Sequence, residues 1–487
     1  MLLAVVGVLT FSLVAAGVLV AVKLRTNITV LDVDDALAQT DEAPAQPSVT
    51  NSTASTASDE DAEPQEAAQP LNVLVMGSDT RQGQGAGFGS ADLIEGARSD
   101  TTLLVHLSAD RENVTVVSIP RDLMVTLPAC TMADGTTTYP YDDRFNAAFY
   151  IGGPECTIRT VTELTGLPIH HFVVVDFTAF ERTIDALGGV EVCLTRPVDD
   201  PLAGLDLPAG VSRVDGAQGL AFVRARTSLG DGSDLARIER QQEFLASLVR
   251  EATSSELLRD PLRMIRSLDA ATQSLTMDAD LAWLPTSAGL ARSLAGIDPA
   301  GVSFVTYPNV YNDDFLTVRP DTSAALLLTE VLANDVAWPL RGSSERVDVP
   351  PDEVAVTVVN ATGRQDQASL AAAALSQQGF SVVGLSTAPK QRRTEVRFPP
   401  GDEQEAQTVA AAVNGARLVP DDAADRVSLV LGSRLSVSDL RTVRVAKPDP
   451  ATTPGSLGSS GDVDWTVPDD GLEQGGTSTA DKATCAS

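Results

Sequence analysis

The sequence predicts an α/β protein: a central mixed β-sheet flanked by helices, then a small C-terminal α/β domain, all behind a single N-terminal transmembrane helix. Three observations predict it. Apolar strands at LNVLVMGSD (from Leu71), TTLLVHLS (from Thr101) and VTVVSI (from Val114) each abut charged residues. Helical patterns with their own start signals follow at Thr178, Asp215 and Ser233 or Asp234. An uncharged run, Leu2 to Val22, is long enough at about 1.5 Å per residue to cross a hydrocarbon core of about 30 Å.

The expected organisation is a membrane anchor (1–25), a disordered acidic stalk (26–70), a main domain (71–343), a linker (344–353), a second domain (354–434) and a disordered tail (435–487). The run lacks the basic flank and clear cleavage site of a signal peptide. Lys23 and Arg25 follow it and no basic residue precedes it, so the positive-inside rule taken literally would put the chain in the cytoplasm. What the family resemblance given below implies about the acceptor overrides that placement, and the assigned start is then expected to lie downstream of the true one. From Asp32 to Gln69 there are ten acidic residues and no basic ones, a composition that cannot bury a core.

The net charge of −31, with 66 acidic against 35 basic residues, argues against nucleic acid as a partner. Within this acidic chain, AFVRARTSLGDGSDLARIERQQ (221–242) concentrates Arg224, Arg226, Arg237 and Arg240. Guanidinium groups match phosphate oxygens two at a time, so a convergent set points to a polyanion, read here as half of a pyrophosphate clamp. A helix starting at Asp215, with Gln218 completing a capping box, ends near Val223, so that Arg224 and Arg226 share a face of extended chain. In the next helix Leu235, Ile238, Leu245 and Val249 form an apolar stripe, with Arg237, Arg240 and Gln241 on the other side. The plainer alternative is a solvated helix face with ordinary ion pairs.

If the second strand runs antiparallel to the first and third, Asp79, Arg98, Asp100, Arg121 and Asp122 gather at one edge of the sheet. The glycine-rich loop between the first two strands lacks P-loop or dinucleotide spacing and reads as a flap or a surface insertion. The helix from Thr178 carries a Thr178 to Glu181 capping box and a glycine stop; His170 and His171 read as structural groups. From Ser254 to Ser343 the pattern is mainly amphipathic helix, with Trp283, Leu284, Leu290, Leu294 and Leu326 to Leu328 as expected core. The four cysteines allow three full pairings, of which Cys130 to Cys156 would contribute about 3–4 kcal/mol by loop closure. Cys193 reads as a buried thiol and Cys485 has no evident partner.

LNVLVMGSD with GARSDTTLL, VSIPRDL, RFNAAF followed by IGGP, VDFTAFERTIDALGGVEV, and DGAQGLAFVRAR with RIERQQ resemble, in that order, the LytR-CpsA-Psr family of bacterial cell-wall enzymes, over about Leu71 to Arg250. Residues 354–434 resemble the LytR C-terminal domain appended in actinobacteria. The resemblance implies a membrane-anchored, extracytoplasmic phosphotransferase that moves a glycopolymer, of arabinogalactan or teichoic type, from a polyprenyl-pyrophosphate carrier to a peptidoglycan sugar hydroxyl. It implies a Mg2+ (or Mn2+) ion on Asp79 and Asp100. The catalytic set would be Asp79, Asp100, Arg121, Arg224 and Arg226. Pyrophosphate would be held by Arg98, Arg121, Arg144, Arg224, Arg226, Arg237, Arg240 and Gln241; Arg144 stands where the family usually has lysine. One of the two aspartates could instead be the general base. A pyrophosphatase and a non-catalytic wall-anchoring or lipid-binding protein are the alternatives.

Overall fold

The computed structural model describes residues 23–33, 36–37, 69–78, 99–201, 203–225, 234–254, 260–273, 275–313, 316–446 and 478–479. The expected transmembrane run, most of the stalk and the glycine-rich loop lie outside these. No helix of the described residues is long and apolar enough to cross a membrane. The chain divides into two compact units, 1–320 with 477–487, and 321–476.

In chain order the first unit contains β1 (Thr29–Val30), β2 (Leu71–Ser78), β3 (Ser99–Leu107), β4 (Val114–Ile119), β5 (Met124–Leu127), β6 (Tyr141–Arg144), α1 (Ala147–Thr165), β7 (His171–Asp176), α2 (Phe177–Leu187) and β8 (Val190–Leu194). It continues through β9 (Val198–Asp200), β10 (Leu205–Leu207), β11 (Gly210–Val214), α3 (Gly216–Arg224), α4 (Asp234–Ala252), α5 (Pro261–Thr272), β12 (Leu275–Met277), α6 (Leu284–Ala295), β13 (Val302–Thr306), β14 (Asn309–Tyr311) and β15 (Val318–Pro320). An eight-stranded mixed sheet runs in the order β1-β12-β7-β2-β3-β4-β13, closed at one edge by a strand at Ser478–Thr479. β3 is antiparallel to both β2 and β4, and β7 and β13 run parallel to β2 and β4 respectively. The ends of β2, β4 and β7 and the start of β3 therefore share one edge.

α4 is central to this unit. The sequence places its apolar stripe on one side, yet both flanks are buried. Leu245, Ala246 and Val249 pack with Leu103, Val116 and Phe304 of the sheet, while Phe244 and Leu248 join a second core with Ile184, Val190, Val214 and Phe222. Gln242 fixes the helix to the sheet by donating to Ser118 Oγ at 3.0 Å and Thr306 Oγ1 at 3.2 Å.

Several expectations are corrected. The stalk does not begin at residue 26: β1 pairs with β12, Asn27 donates to Asp269 at 2.9 Å, and Val33 and Ala36 are buried, because alternating apolar side chains here find an open strand edge. α2 is capped by Asp176, whose carboxylate accepts from Ala179 N–H at 2.7 Å, and not by Thr178. The carboxylate at the end of β7 already sits at the first free amides, leaving Thr178 inside the helix. Residues 254–343 also supply four strands; Trp283 (54% exposed) and Leu294 (41%) lie outside the core. Trp283 instead packs its ring under Arg25, 5.7 Å from the centroid. Cys130 and Cys156 are disulfide-bonded, with Cα atoms 5.4 Å apart. Cys193 is also disulfide-bonded and half-buried, so it is not a buried thiol.

The second unit contains α7 (Thr322–Ala333), β16 (Gly342–Val347), β17 (Ala355–Ala361), α8 (Gln367–Ser376), β18 (Ser381–Thr387), β19 (Glu395–Phe398), α9 (Glu403–Ala411), β20 (Arg417–Pro420), β21 (Ser428–Gly432) and β22 (Thr442–Val445). Its sheet runs β18-β17-β21-β19-β20, with β17, β18 and β21 mutually parallel. The expected linker is partly the strand β16, and the expected tail contains β22, its parallel partner. The two segments satisfy each other's backbone groups, which neither composition announces.

Candidate active site

The site forms where the sheet edge meets the first turn of α4. β4 ends in Pro120-Arg121-Asp122, and β3 opens with Ser99-Asp100 beside it, their register fixed by the Thr102 to Ile119 pair. Arg121 Nη1 donates to Asp100 Oδ1 at 2.9 Å. Its Nε lies 3.0 Å from Asp234 and 3.3 Å from Asp122. Asp122 in turn holds Arg144 Nη1 at 3.1 Å, and Asp234 holds Arg237 Nη2 at 2.5 Å. Arg237 also donates to the Asp100 backbone carbonyl at 3.3 Å. The result is an alternating chain of arginines and carboxylates.

Exposure grades along it. The Arg237 side chain is 5% exposed, Arg121 19%, and Arg144 47%. Burial alone would lower the Arg121 pKa, but Asp234, Asp100 and Asp122 outweigh it and push the guanidinium above its ordinary value, so it stays charged. The pairs named here balance in charge. Such a network orients its members more than it attracts an anion.

Arg224 is the last residue of α3, one beyond the predicted helix end. It is exposed, makes no ion pair among the described residues, and lies over the Phe177 ring, 4.8 Å from its centroid. Phe177 follows Asp176, which pairs with Ser78 at the same sheet edge, so Arg224 is held there by stacking. The predicted capping box of Asp215 and Gln218 anchors the other end of α3.

Two expected ligand residues are occupied structurally. Arg240 is buried and donates to the Ala225 carbonyl, and Gln241 donates to the Val223 carbonyl at 3.4 Å. Both serve the unpaired carbonyls at the α3 C-terminus. Gln241 Oε1 also accepts from Thr101 Oγ1 at 3.3 Å. Asp79, Arg98 and Arg226 lie outside the described residues. Sequence reasoning missed Asp122 and Asp234 as the carboxylates that hold the arginines. The signal was present in the surplus of clustered guanidinium groups, each of which needs a counter-charge once half-buried.

For a divalent ion, the chemistry of the donors is the available test. Asp100 is 36% exposed and gives only Oδ1 to Arg121, leaving Oδ2, a hard oxygen, without a donor among the described residues. That fits one ligand of a magnesium ion, which takes few protein oxygens when substrate phosphates complete its shell. Among the described residues no group of three His, Cys, Asp or Glu side chains is arranged to hold a metal ion.

Met124 stands opposite Arg144 in the β5–β6 pair, and an open cleft of about 680 Å³ begins there, lined by Met124, Tyr311, Asn312, Asp313, Thr317 and Arg319. The β14–β15 hairpin that carries most of it is tied to the site by Val318 N–H donating to the Asp122 carbonyl at 3.2 Å.

The chain matches the LytR_cpsA_psr family model over residues 37–326 and the model described as LytR cell envelope-related transcriptional attenuator over residues 353–434. It is 30% identical over 401 residues to the cell wall biosynthesis protein LcpA of Corynebacterium glutamicum, covering 74% of this chain and 76% of LcpA. It is 39% identical over 218 residues to that organism's probable cell wall biosynthesis protein LcpB, covering 44% of this chain and about half (49%) of LcpB. It is 30% identical over 232 residues to a polyisoprenyl-teichoic acid–peptidoglycan teichoic acid transferase, TagU, of Oceanobacillus iheyensis, covering 47% of this chain and 67% of TagU. With more than half its length matched and its charged edge built from the matched segment, the chain belongs to the LytR-CpsA-Psr family.

Proposed function

We propose that this chain is a phosphotransferase that moves a glycopolymer from a polyprenyl-pyrophosphate carrier to a sugar hydroxyl of peptidoglycan, leaving a phosphodiester. The observation that carries the reading is Arg121, pinned by Asp100, Asp122 and Asp234 at the sheet edge where Arg224, with no ion pair among the described residues, stacks on Phe177. The relatives' names agree with it: one is a teichoic acid transferase and two are cell wall biosynthesis proteins. The acceptor hydroxyl attacks the phosphorus that bears the glycan. The pyrophosphate P–O bond breaks and the polyprenyl phosphate leaves with its negative charge. Arg224 and Arg121 meet the charge that builds on the phosphoryl oxygens, and their fixed partners spare them reorganisation during the reaction. The acceptor's proton goes to a carboxylate, Asp79 or Asp100. A magnesium ion on Asp100 and Asp79, or on whichever of the two does not take the proton, would supply further charge neutralisation when bound.

The acceptor exists only outside the cytoplasmic membrane, so the reading places this domain there, held by the Leu2 to Val22 run. The open cleft from Met124 to Arg319 suits the acceptor sugar, with one aromatic face and several polar groups.

The test uses the purified chain with a short synthetic prenyl-pyrophosphate glycan and a peptidoglycan-like acceptor, followed by mass spectrometry with and without chelator. Transfer to the sugar hydroxyl that disappears in Arg121→Ala and Arg224→Ala supports the reading. Release of glycan phosphate to water alone would make the protein a pyrophosphatase. Tight donor binding without turnover would make it an anchoring protein.

A further inference from the structure

The second unit carries a charged feature with no part in that chemistry. β17, β18 and β21 are parallel, so the segments leaving their carboxyl ends, 362–366, 388–394 and 433–435, emerge at one edge of the sheet. β18 and β21 flank β17 on opposite sides, and the chain passes from β17 to β18 and later back across, which makes the β17–β21 boundary a topological switch point. In open parallel sheets the crevice outside such a boundary is where ligands bind.

These segments bring Arg364, Lys390, Arg392, Arg393 and Arg434 to that edge, all exposed. The segments are bound to one another. Gln391 N–H donates to the Ala361 carbonyl and Ser433 N–H to the Gln391 carbonyl, both at 2.9 Å. The Arg364 guanidinium donates to the Leu435 carbonyl. A Cβ added to Gly363 would meet Lys390 Cδ at 3.2 Å, so the lysine stem lies over that turn. Among the described residues none of the five cations forms an ion pair, whereas Arg397 and Arg426 nearby in sequence each have a carboxylate partner. Asp366 is the one acid within the three segments. It begins α8 without a side-chain cap, so the first amides of that ten-residue helix open on the same edge.

We propose that this edge binds an anionic wall polysaccharide, recognised through its repeated phosphate or carboxylate groups. The cations spread over three adjacent strands, about 10 Å across at the usual strand spacing, more than one phosphate fills. The edge is open, which suits a polymer better than a small molecule. The exposed large apolar side chains of this unit's described residues are Val383, Leu385, Leu418 and Val445, with no aromatic ring for bases to stack on, which disfavours single-stranded nucleic acid. Such a site would hold a glycopolymer by its repeated charges. Polymer binding stands on this unit's own geometry; only the polymer's identity with the donor glycan rests on the proposed transferase reading.

The test measures binding of the full chain to poly(glycerol phosphate), to a carboxylated polysaccharide, to neutral dextran and to phosphatidylglycerol vesicles, at low and physiological salt. The wild type is expected to bind both polyanions, more weakly as salt rises, and not dextran. The triple variant Lys390→Glu, Arg392→Glu, Arg393→Glu is expected to lose at least about tenfold in polymer affinity with its melting temperature unchanged. If the glutamates unfold the unit, the glutamine triple is expected to show a smaller loss of the same sign. Unchanged polymer affinity in a folded triple variant overturns the site, as does equal binding of dextran, or binding to vesicles without polymer. Arg121→Ala separates the two readings: it should leave polymer binding intact, and persistent turnover in that variant would sink the transferase reading while leaving this one standing.

Discussion

Arg121 meets three carboxylates through a planar fork, at 2.9, 3.0 and 3.3 Å, an arrangement that lysine's single ammonium cannot reproduce. Arg121→Lys is therefore expected to keep the fold but lower kcat by about a hundredfold, within the range for losing one preorganised donor to a developing charge. Steady-state transfer rates beside a circular dichroism melt check this. Asp278, away from the site, gives a pH prediction. It is 1% exposed, and its carboxylate accepts from the Phe172 and Leu281 N–H groups and pairs with His171 Nδ1 at 3.0 Å. Burial pushes its pKa up, but these bonds outweigh it and hold the group below its ordinary 3.8. A depressed folded pKa means the stabilisation is present above 3.8 and fades as pH falls through the lowered value. Asp278→Asn is expected to cost about 2–3 kcal/mol at pH 7, the scale of hydrogen bonds to a buried charge. Urea midpoints at pH 7 and pH 3 should show the gap to wild type shrinking at the lower pH. A gap of constant size would mean that the charge contributes nothing.

At the scale of elements, caps make the next prediction. Asp176 ends β7 and caps α2, so Asp176→Ala should destabilise by about 1 kcal/mol, read as a lower urea midpoint, with Thr178→Ala having little effect. The contrast shows how much the sequence told. Where local chemistry decides, as in the Asp215 and Gln218 capping box or the apolar runs of β2 and β4, the element could be read directly. Where two residues fit the same role, as Asp176 and Thr178 do, only the emerging backbone chose between them. β12 and β13 were illegible because runs of three and five residues lie between helical patterns, and only a neighbouring strand makes them strands. The site divides the same way. The arginines were legible by type, because Arg224, Arg226, Arg237 and Arg240 cluster in one short segment of an acidic chain. Their partners Asp122 and Asp234, and the use of Arg240 and Gln241 on the carbonyls ending α3, depend on how α4 lies against the sheet edge, which no local pattern encodes.

At the scale of the whole molecule, the sequence suggests a C-terminal domain of 354–434, whereas the compact unit begins at Asp321. Two features outside the narrower limits carry weight. α7 buries Ala325, Leu327, Leu328, Val331 and Leu332, and its principal neighbour within the unit is α8, whose own buried face is mostly alanine and leucine. β16 pairs with β22, and Gln378 ties the same region by donating to the Arg441 carbonyl and accepting from Val443 N–H at 2.8 Å. Removing α7 alone exposes apolar side chains worth of the order of 5–10 kcal/mol, comparable to the whole stability of a small domain. A chain of residues 321–446 is therefore expected to melt cooperatively on its own. One of residues 354–434 should lack a sigmoidal melt and bind a hydrophobic dye, because the α8 surface has lost its cover and the β16–β22 ladder is gone. Matching melting temperatures for the two pieces would show that α7 and the β16–β22 pair are attachments and not part of the unit's core. The expected difference would instead fix the unit at 321–446, and with it the smallest piece on which the basic sheet edge can be studied apart from the transferase site.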